Sequence, residues 1–157
     1  MRKRALLLLL AALAWPSGAL AATRVLRWRE TLHAGPRVVL VFRFGRVTFG
    51  RAGWTVTASV RNTSRSTLTL ARVRFGLLVY RRAYANPATR HGTNAATAVG
   101  PAFPGTLAPG RAWAGRFSGP GRPRRGRWIR FRVGDFAPFE SARRPGWGWI
   151  SDHTFRA

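Results

Sequence analysis

Trp54-Thr55-Val56-Thr57-Ala58-Ser59-Val60 alternates apolar and polar side chains without a break. Trp54, Val56, Ala58 and Val60 share one parity; Thr55, Thr57 and Ser59 take the other, and Arg61 continues the polar set. Successive side chains of an extended chain point to opposite faces, so a strict period of two predicts a strand with one face buried and one wet. Valine and threonine favour that conformation because their branched Cβ packs well on a pleated surface. The stretch ends in Arg61-Asn62-Thr63-Ser64, a cluster of turn formers.

The same period continues on both sides. Within residues 67–80, Leu68 and Leu70 share one parity, while Val73, Phe75, Leu77 and Val79 take the other. That change of phase predicts either a bulge or two strands joined near Ala71. Farther on, Trp113, Gly115 and Phe117 fall together, and Ile129, Phe131 and Val133 stand opposite Trp128, Arg130 and Arg132. Upstream, Leu26, Trp28 and Leu32 alternate with Arg27 and Arg29. Residues 38–44 form an apolar run broken by Arg43, as a central strand requires, and residues 47–49 read as a separate short strand. No segment keeps a helical period beyond one or two turns.

The expected fold class is therefore all-β: an immunoglobulin-like β-sandwich of about seven to nine short strands, with Trp54, Phe75 and Trp113 in its core. Residues 83–104, with Pro87, Gly92, Gly100, Pro101 and Pro104, read as one long polar loop, a length that marks a functional or mobile segment. Residues 119–126 read as a Gly/Pro turn carrying Arg122, Arg124 and Arg125. From about residue 136 to 157, Phe139, Trp147, Trp149, Ile150 and Phe155 predict an aromatic C-terminal segment docked on the domain. The alternative makes Trp147 and Trp149 an exposed platform for a ligand.

Residues 1–22 have the order of a secretory signal peptide. Arg2, Lys3 and Arg4 precede an apolar run at residues 5–14, then Pro16, Gly18 and the small-residue ending Ala19-Leu20-Ala21-Ala22. The run is well short of the roughly twenty apolar residues that span a bilayer. Cleavage after Ala21 or Ala22 is expected, leaving a single domain at 23–157 with no transmembrane helix. Retention as an uncleaved anchor is the alternative, since Trp15 lengthens the apolar stretch. The expected location is exported: extracellular or associated with the cell envelope, in periplasm or wall. The chain contains no cysteine, which excludes disulfides, cysteine-based metal sites and a lipid-modified cysteine.

Charge is the second strong signal. The chain has 28 Lys and Arg against 4 Asp and Glu, a net +24. With the three basic residues of the leader set aside, 25 positives, all arginine, face the same 4 acids, leaving +21. Such a surface repels itself and draws polyanions through its long-range field.

The stretch from about residue 47 to 133 resembles bacterial extracytoplasmic immunoglobulin-like modules of the FxLYD kind. Three segments carry the resemblance: residues 56–64, a strand running into the Asn62 turn; residues 73–80, an aromatic strand ending in Val79-Tyr80; and the turn Leu107-Ala108-Pro109-Gly110 leading to Trp113. Arg81-Arg82 depart from the pattern, standing where such modules place an acidic-glycine turn. The resemblance implies a sandwich that serves as a secreted binding or accessory module, and it brings no catalytic residues.

Chemistry-bearing residues are few. The carboxylates are Glu30, Asp135, Glu140 and Asp152, and the imidazoles His33, His91 and His153. Ser151-Asp152-His153 holds the residue types of a hydrolytic triad, but neighbours on a strand point apart and cannot relay a proton. Asp135 and Glu140, five positions apart, are the pair to weigh for glycoside hydrolysis. Among so many arginines, these acids and Glu30, beside Arg27 and Arg29, are expected to serve as salt-bridge partners. The histidines lack metal-ligand spacing, and no cofactor motif is present.

What remains is arginine interleaved with an aromatic. Arg122, Arg124, Arg125, Arg127, Trp128, Arg130 and Arg132 form the candidate polyanion-binding set, with Trp128, Arg130 and Arg132 on one strand face. Guanidinium groups grip phosphates by paired hydrogen bonds, and Trp128 can lie on a sugar or a headgroup region. The expected function is a secreted or envelope-associated, non-catalytic binding module contacting anionic wall polymers or a lipid membrane surface. The pattern of a sequence-specific nucleic-acid reader is missing. The alternative is a structural or assembly protein that binds an envelope protein, its positive charge incidental.

Overall fold

A computed structural model describes residues 21–70, 74–83, 90–138 and 147–157. Residues 1–20 of the expected leader (residues 1–22), Ala71, Val73, Pro87, Phe139 and Glu140 lie outside them. The described residues contain strands and no helix, so none that could cross a membrane. The first antiparallel sheet is built from β1 (Ala22–Ala34), β2 (Arg37–Phe49), β3 (Gly53–Asn62), β9 (Ala112–Pro120) and β7 (Ala98–Gly100), in that order. The second runs β6 (Arg90–Ala95), β5 (Arg74–Tyr80), β10 (Trp128–Pro138), β4 (Leu68–Thr69) and β8 (Thr106–Leu107). Two C-terminal strands, β11 (Trp147–Ile150) and β12 (Phe155–Arg156), also pair with β10.

The two sheets close on each other as a β-sandwich, and aromatic rings fill the space between them. Phe42 of β2 stacks on Trp149 of β11 at 4.2 Å, and Phe44 on Phe131 of β10 at 4.4 Å. Phe75 of β5 meets Phe117 of β9 at 4.0 Å. Each such pair adds about 0.5–1.5 kcal/mol beyond the apolar area it buries. As the alternation requires, Trp54, Val56, Ala58 and Val60 are all buried. Trp113 is buried as well, its indole N–H donating to the Pro101 carbonyl at 3.2 Å. Gly115 has no side chain for a steric reason: a Cβ there would strike the Trp113 ring and lie 2.6 Å from the Gly100 oxygen of β7.

Three readings of the sequence are refined by the pairing. Residues 38–44 and 47–49 belong to one strand, β2, rather than two. A bulge at Gly45-Arg46 resets its phase, so Phe44 and Val47 both face the core. The Arg46 amide donates to Thr57 Oγ at 2.8 Å across that bulge. Residues 67–80 are two strands, of which β4 pairs with the far end of β10 and β5 with its near end. Residues 83–104 are not one long loop: they carry β6 on one sheet edge and β7 on an edge of the other. Edge strands with a wet face need no apolar alternation, which is why Arg90-His91-Gly92-Thr93-Asn94 resembled a loop.

The turn after β3 is fixed by Asn62, which is fully buried. Its Nδ2 donates to the Ser66 and Leu107 carbonyls, each at 2.8 Å, and its Oδ1 accepts from the Ser64 amide at 2.9 Å. Within the aromatic C-terminal segment, Trp149 and Phe155 are buried against the core, as docking requires, while Ile150 is exposed and the Trp147 side chain lies outside the described residues.

Candidate functional site

The cross-strand register places the expected polyanion-binding residues. Ile129, Phe131 and Val133 point into the core, so Trp128, Arg130 and Arg132 share the outer face of the second sheet. Register neighbours add Arg74 and Arg156 to that face. Arg122, Arg124 and Arg125 are exposed in the turn before β10, and Arg127 is half-buried at its end. The seven residues therefore run along the outer side of β10 and the turn that leads into it.

The face is less freely cationic than its composition suggests. Arg130 is half-buried; its Nε donates to the Ser151 carbonyl, and its Nη2 lies 3.8 Å from the Asp152 carboxylate. Trp128 is half-buried beside Tyr80, its cross-strand partner. Tyr80 and Leu78 have outward parity yet are only 4% and 1% exposed, so this part of the face is covered and the exposed arginines Arg132 and Arg156 lie beside it.

A second arginine set emerges only from the strand order. On the outer face of the first sheet, Arg29 of β1 lies directly opposite Arg43 of β2, and Arg43 opposite Ser59 of β3. Arg61 occupies the same face of β3, Arg116 faces Thr57 from β9, and Arg46 projects from the bulge. All five arginines are exposed, and Thr55, Thr57 and Ser59 lie among them half-buried. Among the described residues, no carboxylate comes within ion-pair distance of these five. Two open grooves of about 540 and 520 Å³ cross this face and share Thr57 and Arg116 in their walls. The sequence carries only a faint sign of this set: each arginine has the polar parity of its own strand, and nothing local says that the strands are neighbours.

Glu30 explains part of that imbalance. It has the parity of Leu26, Trp28 and Leu32 and faces inward, only 5% exposed. Its carboxylate accepts from the backbone amides of Asp152 at 2.8 Å and His153 at 3.1 Å, and from the His153 ring Nδ1 at 2.8 Å. The expected arginine partnership of Glu30 is thus replaced by a clasp on the C-terminal segment, whereas Asp152 does sit beside an arginine. The Trp28 indole stacks on the His153 ring at 5.2 Å and completes the clasp.

Ser151 belongs to the same assembly. Its Oγ accepts from the Phe131 amide and donates to the His153 carbonyl, each at 2.9 Å. The hydroxyl is therefore committed to backbone, and the His153 ring is committed to Glu30 on its Nδ1 side. The side chain of Asp135 and the whole of Glu140 lie outside the described residues. Among the described residues, no three His, Asp or Glu side chains gather as a metal site. Comparison with protein-family models, with curated proteins and with solved structures returns no match.

Proposed function

We propose that this chain is an exported, non-catalytic binding module that attaches to anionic polymer or headgroup surfaces of the cell envelope through its arginine-bearing sheet faces. One observation carries the reading: Arg29, Arg43, Arg46, Arg61 and Arg116 are exposed on one sheet face with no described carboxylate near them, while Glu30 is turned inward. Like charges set side by side on a sheet destabilise it, so their placement favours a counter-charged ligand over fold stability. The leader-like order of residues 1–22 supports a ligand outside the cytoplasm.

Retention on an anionic matrix is the test. Each phosphate neutralised by an arginine releases a counterion, so binding through about five contacts weakens steeply with salt, by roughly two to three orders of magnitude across a fivefold rise. The mature protein should elute from immobilised polyphosphate or anionic vesicles at a sharply defined salt concentration. Retention that is indifferent to salt overturns the electrostatic mechanism. Salt-insensitive co-purification of an envelope protein in fixed proportion would then favour the assembly alternative.

A further inference from the structure

The two outer faces of a sandwich look in opposite directions, because the sheets pack about 10 Å apart with their apolar sides together. In this chain both outward faces are arginine-bearing. The first sheet presents Arg29, Arg43 and Arg116 across three of its strands; the second presents Arg132 and Arg156 on β10 and β12. We infer that the module is bivalent, each face holding a separate segment of a phosphate-bearing polymer, so that one molecule bridges two polymer chains. The inference rests on the polyanion reading above and goes beyond it in naming the ligand class and the consequence of binding.

The surface chemistry favours a polymer over a bilayer. The only exposed large hydrophobic side chains among the described residues are Val25 and Ile150, one on each face. Among the described residues, one aliphatic side chain per face gives little area to insert among acyl chains, and membrane-surface binding scales with buried apolar area as well as charge. The first face instead offers guanidinium forks with the Thr55 and Ser59 hydroxyls among them, the Thr57 hydroxyl being bonded to the Arg46 backbone. A phosphodiester group, with several acceptor oxygens, satisfies a fork and a hydroxyl together. The two grooves, adjacent at Thr57 and Arg116, offer an extended chain a path across the strands.

Long-chain inorganic polyphosphate is a suitable probe, with retention reporting binding and light scattering reporting bridging. Wild-type protein should bind the polymer and scatter strongly near charge equivalence, with scattering falling when protein is in excess. Arg43→Glu with Arg116→Glu removes one face, and Arg132→Glu with Arg156→Glu removes the other. Each double variant should keep retention within about tenfold while losing scattering by about tenfold or more; all four substitutions together should abolish both. Arg37→Glu with Arg65→Glu is the charge-matched control. Those exposed arginines flank the end of the sandwich, by the β1–β2 turn and the β3–β4 loop, and that variant should scatter like wild type.

Circular dichroism of every variant confirms that only the surface has changed. Wild-type binding without scattering overturns bivalence and leaves the polyanion reading standing, as does equal loss of scattering in the control. Absence of wild-type binding to polyphosphate and to anionic vesicles alike overturns both. Clustering of anionic phospholipid vesicles without any effect on polyphosphate moves the ligand to a bilayer and overturns the polymer.

Discussion

The His153 ring donates from Nδ1 to the Glu30 carboxylate at 2.8 Å, joining residues 123 positions apart. The contact ties the first described strand to the last: β1 forms an edge of the first sheet, and the segment between β11 and β12 runs beside β10 of the second. Glu30 gathers two backbone amides as well as the ring, so the C-terminal segment is held by its main chain, not by its side chain alone. In a chain this short of acids, a carboxylate turned inward is a structural commitment.

Removing that carboxylate leaves two part-buried backbone amides and the exposed His153 ring without their acceptor. Glu30→Ala should cost about 2–3 kcal/mol of stability, since the amides lose their partner and a cavity opens where the carboxylate was. His153→Ala leaves both amides bonded to Glu30 and should cost about 1 kcal/mol. Urea unfolding of the two variants gives the comparison, and equal losses would show that the ring, not the amides, dominates the clasp.

Ser151 gives a prediction that separates structure from chemistry. It is fully buried and supplies the acceptor for the Phe131 amide. Ser151→Ala should cost about 1–3 kcal/mol by orphaning that amide, with salt-dependent retention on polyphosphate unchanged at temperatures where the variant is folded. A shift in the elution salt concentration would place the C-terminal turn in the binding surface.

How much of this was legible in the sequence depended on whether the signal was local. Trp54 to Val60 declared a half-buried strand because alternation is written residue by residue, and the Ile129, Phe131 and Val133 face was read in the same way. Glu30 was misassigned to an arginine although it has the parity of Trp28 and Leu32, because local charge outweighed phase in the reading. The edge strands β6 and β7 were hidden because a strand with little buried surface has no apolar signature. The arginines of the first sheet could not be assembled at all, since their adjacency lies in the order β1-β2-β3-β9.

A buried hydroxyl without a partner offers a stabilising change. Thr69 Oγ in β4 is shielded from solvent and makes no hydrogen bond. Thr69→Val keeps the branched shape and removes the unsatisfied group, so it should raise stability by about 1 kcal/mol, or the melting temperature by about 3–5 °C. Calorimetry of the protein checks it, and a lower melting temperature would mean that the hydroxyl is hydrated.

Salt should act on stability and on binding with opposite signs. The screening length falls from about 30 Å at 0.01 M to about 3 Å at 1 M, which weakens repulsion among the arginines as well as attraction to a polymer. The melting temperature in sodium chloride should therefore rise over the range in which polyphosphate retention is lost. A melting temperature that falls with salt would show that the ion pairs, such as Arg130 with Asp152, outweigh the repulsion.

The pair Arg29 and Arg43 brings the two effects to one position. They are exposed and directly opposed on adjacent strands, an arrangement in which like charges oppose the sheet. Arg43→Glu turns that repulsion into an attraction and should raise the melting temperature by about 1–3 °C, because an exposed pair contributes little. The same substitution removes one phosphate contact and adds a repulsive charge, so elution from polyphosphate should shift to distinctly lower salt. An arginine retained for packing alone would respond differently: its reversal would lower the melting temperature and leave elution where it was.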